Sequence, residues 1–330
     1  MNNKTYKKPL HPALVILCDI LCVGLVLIIF ALFHHVIPRK VEPISDTLQK
    51  PNPSSQPVAS TTDDSNPSSS GGAQGGSSVE AHHEPGDFSD KFPTYDTGKG
   101  ALYSHQGDNF KVAINKYQEN NVTYFVADVW VKNISAFRTA FAKGEFVTGY
   151  AELPVNMAND NNAVFAISGD YCGARASGVV IRNGVLYRDS VNSDVCVLFN
   201  DGTMETYSKN EFDLYKISNN NIWQAWAFGP ELLDNGKALT DIKSSIWRKN
   251  PRSAIGYYEP GHYCFVTVDG RQPGYSDGMT LDELSALFAS LGCKTAFNLD
   301  GGATAEMVFE GQVVNRPYNG GRRSSDIICF

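Results

Sequence analysis

The chain has 330 residues, of which 42% are hydrophobic and 19% charged, a composition that excludes a disordered protein and suffices for one large globular domain. The formal net charge is −7, so the chain lacks the basic character typical of nucleic-acid binding, and we expect no nucleic-acid partner. Seven cysteines are too few for a disulfide-stapled scaffold, and none forms a cluster with the spacing of a structural zinc site.

The first predicted element is a membrane anchor over residues 14–37, which follows a cytoplasmic tail of residues 1–13. The apolar run Leu14 to Phe33 contains one charged residue, Asp19, and as a helix it would rise about 30 Å, the thickness of a bilayer core. A cleaved signal peptide and a buried core helix are the alternatives, but no small-residue cleavage site follows the run. Because more lysines precede the run than follow it, we expect a single-pass cell-membrane protein whose helix contacts the lipid bilayer and whose domain is extracellular.

A change in composition then predicts a linker and a domain. Residues 51–78 are rich in Pro, Ser and Gly and show no hydrophobic periodicity, which is typical of a disordered tether. We therefore assign residues 38–100 to a Pro/Ser/Gly-rich tether and residues 101–330 to one extracytoplasmic domain.

Three β-hairpins are predicted within that domain. In each, two runs rich in β-branched and aromatic residues flank a short turn of Asn, Asp or Gly. The predicted pairs are Phe110–Tyr117 with Tyr124–Lys132, Val179–Arg182 with Val185–Tyr187, and Val195–Asn200 with Thr203–Tyr207.

The same region contains two segments with helical spacing and one buried strand. Ile134 to Ala142 is predicted to be helical, as is the stretch that ends near Asn159. Val164 to Ile167 reads as a buried strand that leads into a loop at Ser168.

The clearest helix signal lies near the C-terminus. Thr280 and Glu283 form a predicted capping box ahead of an apolar stripe, and Gly292 marks the end of the helix. The helix lies between the apolar runs Tyr263–Val268 and Thr295–Leu299, the order of a strand, a crossover helix and a parallel strand. We therefore predict an α+β domain with a mixed β-sheet, hairpins and a strand-helix-strand crossover.

Three carboxylates follow apolar strands at glycine turns. Asp170, Asp269 and Asp300 all occupy such positions, which are common in active sites. Asp269 has an ordinary Asp-Gly turn as its alternative. Asp300 is followed by Gly301, Gly302 and, after one residue, Thr304, so bare amides and a hydroxyl should lie beside it and suit an anion.

Arginines cluster in the same half of the chain, among them Arg252, Arg271 and Arg322. Their planar forks suit phosphate or carboxylate groups, although single surface arginines are common. No Ser/His/Asp triad, HExxH or Gly-x-Ser-x-Gly motif is present. Cys172 and Cys196 are predicted to form a disulfide, with small buried thiols as the alternative.

The C-terminal half resembles the phosphodiester glycosidase family. An ordered series of segments carries the resemblance: Ile167-Ser-Gly-Asp-Tyr, Phe228-Gly-Pro-Glu-Leu-Leu-Asp-Asn-Gly, Asn250-Pro-Arg-Ser-Ala-Ile-Gly, Val268-Asp-Gly-Arg, Gly278-Met-Thr-Leu-Asp-Glu-Leu, Asn298-Leu-Asp-Gly-Gly and Val314-Asn-Arg-Pro. Two segments depart from the family pattern, since Ser168 replaces an Asn and Ala-Thr-Ala-Glu follows the Asp-Gly-Gly of Asp300.

The resemblance implies a hydrolase that cleaves the glycosidic bond of a sugar 1-phosphodiester in surface or exopolysaccharide glycans, releasing a free sugar and a phosphomonoester. It implies catalytic roles for Asp300, Asp170, Arg252 and Asn298. It also implies that the glycan or sugar phosphate is bound by a second group of residues, which comprises Arg322, Gly301, Gly302, Thr304, Asp269 and Arg271.

Two other functions stay open. The first is a cell-surface module that binds glycan through the same pocket without turnover, and the second is a phosphodiesterase that cuts the P–O bond with a divalent ion shared by Asp170, Asp269 and Asp300. No motif predicts a cofactor, and a divalent cation is left open. Asp300 and Arg252 are predicted to serve turnover rather than folding.

Overall fold

The computed structural model describes residues 12–31, 39–44, 86–217 and 221–330. Most of the predicted tether and the predicted cytoplasmic tail lie outside the described residues. The boundary between tether and domain at residue 101 stays a prediction. Residues 86–100, the described end of the predicted tether, contact the domain, because the buried Phe88 donates its N–H to the carbonyl of Lys132 at 2.8 Å.

The described residues contain four α-helices and a larger number of short strands. The helices are α1 (Pro12–Ala31), α2 (Pro154–Asp160), α3 (Leu214–Ile217) and α4 (Leu281–Ser290). The strands are β1 (Arg39–Lys40), β2 (Tyr103–Gln106), β3 (Phe110–Glu119), β4 (Val122–Val131), β5 (Arg138–Phe141), β6 (Val147–Thr148), β7 (Phe165–Ser168), β8 (Val180–Arg182), β9 (Val185–Arg188), β10 (Val195–Phe199), β11 (Met204–Tyr207), β12 (Ile222–Trp226), β13 (Leu233–Asp234), β14 (Lys237–Ala238), β15 (Arg252–Glu259), β16 (His262–Val268), β17 (Thr295–Asn298), β18 (Met307–Phe309), β19 (Gln312–Val313) and β20 (Asp326–Cys329).

These strands form three larger sheets and two short pairs. The six-stranded sheet has the order β17-β15-β16-β4-β3-β2, and the two five-stranded sheets have the orders β11-β10-β12-β8-β9 and β19-β18-β7-β20-β5. The pairs are β1-β6 and β13-β14. The α+β class is therefore confirmed.

The predicted hairpins are present. The turn between β3 and β4 consists of Asn120 and Asn121, which have φ values of 50° and 59°, and such a left-handed pair matches the twist of a two-residue hairpin. The pairs β8-β9 and β10-β11 are also antiparallel neighbours. The side-chain alternation along β4 sends Phe125 and Ala127 into one core and Tyr124 and Val126 into another, as the two-residue period of a strand requires.

The crossover is confirmed, whereas the mixed sheet is not. The capping box of Thr280 and Glu283 begins α4 as predicted, and α4 connects β16 to β17. These two strands are parallel to each other because both pair antiparallel with β15, which lies between them. The insertion of β15 makes every pair in this sheet antiparallel.

One predicted helix is wrong. Within Ile134 to Ala142 the structure has a short 3-10 turn over Ile134–Ala136 and then β5. Asn133 caps that turn by accepting the N–H of Ser135, and β5 pairs with β20. Pairing with an existing strand therefore outweighs the local helical spacing.

The predicted membrane anchor is also contradicted. Within the described ranges, no helix is long and apolar enough to cross a membrane. The predictions of a single-pass anchor, of bilayer contact and of an extracellular domain are corrected accordingly.

The main core lies where the three sheets meet. Phe165 of β7, Trp226 of β12 and Phe265 of β16 are fully buried in this core. The opposite face of the six-stranded sheet packs against Leu284 and Phe288 of α4.

The cysteines are free thiols wherever the structure describes them, contrary to the predicted disulfide. Cys172 packs with Phe141 and Phe146, whereas Cys196 lies in the main core. The alternative, in which the cysteines of the domain are small buried residues, is the one observed.

Candidate active site

The sheet order brings three strand ends to one edge. Arg252 begins β15 and pairs with Val268, the last residue of β16, while Ala254 pairs with Asn298, the last residue of β17. Because β15 runs opposite to both neighbours, its start lies beside their ends. The N–H of Asp300 donates to the carbonyl of Gly169 at 3.1 Å, which joins the loop after β7 to the same edge.

A cavity of about 220 Å³ opens at this edge. Seven of the predicted site residues line it, whereas Asp170, Asp269 and Thr304 do not. The lining residues are Phe228, Ile246, Asn250, Pro251, Arg252, Arg271, Asn298, Leu299, Asp300, Gly301, Gly302, Ala303 and Arg322.

Asp300 is the carboxylate of this cavity. Its side chain is buried, and burial raises its pKa from 3.8 to about 6, opposed by the hydrogen bond from Thr304 and by the charges of Arg322 and Arg175. The Thr304 hydroxyl donates to Asp300 Oδ2 at 2.7 Å, and Arg322 Nη2 lies 3.4 Å from the same oxygen. Thr304 therefore orients the carboxylate from behind, and a pKa of about 6 suits a base that works near neutral pH.

Three arginines line the same cavity as Asp300. Arg322 is half-exposed and Arg271 is exposed, while Arg252 is almost fully buried. Arg271 Nε and Nη2 donate to Asn250 Oδ1 at 3.1 and 2.7 Å. Since Asp300 is the one acidic residue among the lining residues, the cavity favours an anion.

Arg252 has a second role that its sequence does not predict. Its Nε donates to the carbonyl of Met279 at 3.0 Å, and its Nη2 donates to those of Ile246 and Arg248 at 2.7 and 2.6 Å. Burial, with the charge of Arg271, lowers its pKa to about 10, so the guanidinium keeps its charge at neutral pH. The side chain therefore gives the cavity a positive charge and, through its hydrogen bonds to backbone carbonyls, stabilises the cavity wall.

Some of the backbone amides of the glycine turn are free to bind a ligand in the cavity. The N–H of Gly302 donates to the carbonyl of Pro251 at 2.9 Å, so this amide is occupied. The N–H groups of Gly301 and Ala303 have no hydrogen-bond partner in the part of the chain that the structure describes, and both residues line the cavity. A Cβ at Gly301 would lie 2.6 Å from the Pro251 carbonyl oxygen, which explains the glycine at this position.

Asn298 presents an incompletely bonded amide. Its Nδ2 donates to the carbonyl of Gly229 at 2.8 Å, while its buried Oδ1 has no partner among the described residues. An unpaired buried acceptor is costly, so this oxygen is a candidate to accept a hydroxyl from a ligand.

Asp170 is a structural residue rather than a lining one. Arg182 Nη2 lies 2.9 Å from Asp170 Oδ1, and the same group lies 2.9 Å from Asp326 Oδ2. All three side chains are buried. Asp170 also accepts the N–H groups of Cys172 and Ala227 at 3.0 and 2.9 Å. Both oxygens of this carboxylate are therefore engaged by neighbouring groups, and its catalytic role stays a prediction.

Asp269 is likewise engaged away from the cavity. Its carboxylate accepts the hydroxyl of Tyr275 at 2.8 Å, Asn315 Nδ2 at 2.8 Å and the N–H of Arg316 at 3.1 Å. Burial raises the pKa of Asp269, and these hydrogen bonds oppose the rise. The residue holds two loops together, and its predicted role in substrate binding stays a prediction.

The acidic residues do not gather as a shared ion site would require. In the described ranges, the one group with metal-ligand spacing is Asp170, Cys172 and Asp326, whose ligand atoms lie within 4.8 Å of one another. The guanidinium of Arg182 already sits between the two carboxylates and supplies the positive charge there. This group therefore does not fit a metal ion.

Tyr171, Arg175 and Phe228 are further residues at the site that the sequence analysis did not predict. The Arg175 guanidinium lies over the Phe228 ring at 4.7 Å, and that of Arg322 lies over the Tyr171 ring at 5.4 Å. Tyr171 follows Asp170 in the chain, and Phe228 follows Ala227, whose amide Asp170 accepts. Asp170 thus positions the two rings on which the arginines rest. A signal was present, since both aromatics belong to the family-like segments.

The fold and the site together form a cavity lined by one carboxylate, three arginines and a glycine turn. A sequence profile of the phosphodiester glycosidase family matches residues 161–330. The chain therefore belongs to the phosphodiester glycosidase family.

One curated protein is similar to about half of the chain. The chain is 34% identical over 190 residues to the SPbeta prophage-derived uncharacterized protein YomE of Bacillus subtilis (strain 168), a match that covers 54% of this chain and 29% of that protein. The chain thus spans less than a third of the length of that relative.

Two solved structures share the fold. The zebrafish N-acetylglucosamine-1-phosphodiester alpha-N-acetylglucosaminidase catalytic domain, auto-inhibited by its pro-peptide, superposes with a TM-score of 0.54 at 18% identity, covering 69% of this chain and 85% of that chain. A hypothetical protein from Synechocystis superposes with a TM-score of 0.53 at 14% identity, covering 70% of this chain and 64% of that chain.

Proposed function

We propose that the protein hydrolyses the glycosidic bond of a sugar 1-phosphodiester and releases a free sugar and a phosphomonoester. The observation that carries this proposal is the charge balance of the cavity, in which Asp300 stands alone as a carboxylate among Arg252, Arg271 and Arg322. This proposal concerns the reaction, and it leaves the cellular location and the identity of the sugar aside.

A single carboxylate is chemically sufficient when phosphate leaves. Most glycosidases need two carboxyl groups, because a sugar or alcohol leaving group must be protonated. A phosphomonoester has a second pKa of about 6, so it departs as a weak base that needs charge neutralisation more than a proton. The three arginines and the amides of Gly301 and Ala303 supply that neutralisation.

In the proposed reaction Asp300 activates water. The ionised carboxylate takes a proton from a water molecule while the oxygen of that water forms a bond to the anomeric carbon. The bond between that carbon and the phosphate oxygen breaks, and its electron pair leaves with the phosphate. The positive charge that develops on the sugar ring lies beside Asp300, while the negative charge of the leaving group faces the arginines.

The enzymatic proposal is tested by analysing products. The full chain is incubated with methyl esters of sugar 1-phosphates, in both anomeric forms, with and without chelator. We expect free sugar and methyl phosphate in equal amounts, with the same rate in chelator. Release of sugar phosphate and methanol would identify a phosphodiesterase instead, and binding of these esters without any product would identify a glycan-binding module.

A further inference from the structure

Two more cavities adjoin the cavity of Asp300, one on each side. A cavity of about 470 Å³ shares Phe228 and Ile246 with it, and a cavity of about 580 Å³ shares Arg271 with it. We call these the Arg175 cavity and the Arg316 cavity after an arginine in each. Because each shares lining residues with the central cavity, the three cavities are neighbours, and we call them together the groove.

The Arg316 cavity is built for an anion. Arg271 and Arg316 line it together with Tyr275, Tyr318 and Gln272, and its described lining includes no acidic residue. The Arg316 guanidinium lies over the Tyr275 ring at 4.9 Å, and that of Arg271 lies over the Tyr318 ring at 5.5 Å. Stacking on rings fixes the two charges in place before a ligand arrives.

A buried anchor holds this cavity in shape. Asp269 is 1% exposed and accepts both the hydroxyl of Tyr275 and the backbone N–H of Arg316. Gln272 Nε2 donates to the carbonyl of Arg316 at 2.8 Å. The hydrogen bonds of Asp269 thus position the ring and the backbone that carry the Arg316 stack.

The Arg175 cavity suits a sugar with a charged substituent. Asn192, Ser193, Ser244 and Ser245 supply hydroxyl and amide groups there, the side chains that recognise sugar hydroxyls by hydrogen bonding. Its cations are Arg175, Lys209 and Lys243, against one carboxylate of Asp194. Lys243 is partly neutralised by an ion pair with Asp241, which leaves Arg175 and Lys209 as the cations that face a ligand.

The groove reverses the charge of the whole chain. The protein carries a formal net charge of −7, yet arginine and lysine side chains outnumber carboxylates in all three cavities. A basic groove in an acidic protein concentrates anions along its length. A substrate with one phosphodiester would fill the central cavity and leave the flanking cations unused.

We propose that the groove holds a phosphodiester-linked glycan chain on both sides of the bond that is cut, so that the enzyme cleaves within a chain. This inference rests on the proposed function, because the central cavity performs the same hydrolysis. The neighbouring phosphate on one side occupies the Arg316 cavity, and the next sugar on the other side occupies the Arg175 cavity.

The test compares substrates of different length. Synthetic chains of one to four sugar 1-phosphate units, joined by phosphodiesters and capped at both ends, are given to the full-length protein. We expect kcat/KM to rise at least tenfold from one unit to three, and the first products to be internal fragments. Added salt should reduce this advantage, because exposed charges are screened.

Charge-reversal variants locate the effect. Arg316→Glu and Lys209→Glu each change an exposed side chain in one flanking cavity, and each should lower the ratio of three-unit to one-unit kcat/KM at least fivefold. Lys294→Glu is the matched control, since this exposed lysine precedes β17 at the opposite end of that strand from Asn298; its ratio should stay that of the unmodified protein.

The outcomes separate this inference from the function on which it rests. Equal kcat/KM for one and three units, with release of terminal sugars alone, would overturn cleavage within a chain while leaving the glycosidase intact. Failure to hydrolyse any substrate, including the one-unit ester, would overturn both.

Discussion

Replacing Asp300 with asparagine should abolish turnover and at the same time stabilise the protein at neutral pH. The substitution keeps the size of the side chain and an oxygen that accepts the Thr304 hydroxyl, but it removes the negative charge and the basicity. General-base assistance contributes about 10² to 10⁴ in rate, and we expect a loss of that size in kcat.

The expected gain in stability follows from the pKa of Asp300. Burial raises this pKa from 3.8 to about 6, so the folded state binds a proton more tightly than the unfolded chain, and ionisation at neutral pH costs about 3 kcal/mol of folding free energy. This pKa already includes the opposing charges of Arg322 and Arg175 and the hydrogen bond from Thr304. A gain of about 1–3 kcal/mol corresponds to a rise in Tm of roughly 2–12 °C.

The pH dependence gives the prediction its sign. Since the folded pKa is the higher one, the penalty is absent below pH 3.8, grows as the pH rises to about 6, and is complete above it. The difference in Tm between the Asn variant and the unmodified protein should follow that window. In the unmodified enzyme, kcat/KM should rise with pH through about 6 as the base ionises.

The assay is calorimetry of both proteins from pH 4 to pH 8, together with kcat on a sugar 1-phosphodiester. Asp170→Asn is the matched control, because that buried carboxylate is paired with Arg182 and its replacement should lower Tm. A folded Asp300→Asn protein with a lower Tm at pH 8 and a near-normal kcat would refute the reasoning and make Asp300 a turn residue.

For three further substitutions, the contacts of the replaced residue predict whether stability or activity falls. Arg252→Lys should lower both Tm and kcat, since one ammonium cannot reach the three carbonyls that the guanidinium holds, and the cavity wall that they fix would shift; urea unfolding and initial rates measure both. Arg182→Met should cost about 3–5 kcal/mol by leaving two buried carboxylates unpaired, and adding Asp326→Asn should recover part of that loss in the same unfolding experiment. Gly301→Ala would place a Cβ 2.6 Å from the Pro251 oxygen and should raise KM, because the turn would have to move. Steady-state kinetics measure KM, and an unchanged value would contradict this prediction.

Local signals predicted much of the fold because they act over a few residues. The turn at Asn120 and Asn121 and the capping box of α4 satisfy their own hydrogen bonds, so their sequences suffice. The secondary structure of β5 was predicted wrongly, because it depends on pairing with β20, which lies nearly two hundred positions further along the chain. The place of β15 between β16 and β17 depends on the same kind of distant pairing.

The residues of the candidate site also differ in how far their contacts lie from them along the chain. The position of Asp300 and its glycine turn at the cavity was predictable, because the strand end and the turn lie in one short segment. Asp170 and Asp269 follow strands in the same manner, yet their partners, Arg182 and Asn315, lie in distant segments. A strand-end pattern cannot tell a carboxylate that faces a cavity from one that a distant side chain has already engaged.

Arg252 shows how one residue can combine two roles that a sequence would separate. The preceding Pro251 supplies the carbonyl that receives the Gly302 amide, while the Arg252 side chain fastens the opposite wall. Both groups lie in the Asn-Pro-Arg-Ser segment. The family-like motif therefore encodes the wall of the cavity as well as its charge.

The most direct test of the proposed reaction is the fate of oxygen from water. The full-length protein hydrolyses the methyl ester of a sugar 1-phosphate in water enriched in oxygen-18, and mass spectrometry locates the label before the sugar exchanges it. Attack at the anomeric carbon puts the label in the free sugar and leaves methyl phosphate unlabelled, which is the result that we predict. Label in the phosphate would mean that the P–O bond is cut, and it would contradict the role that we propose for Asp300.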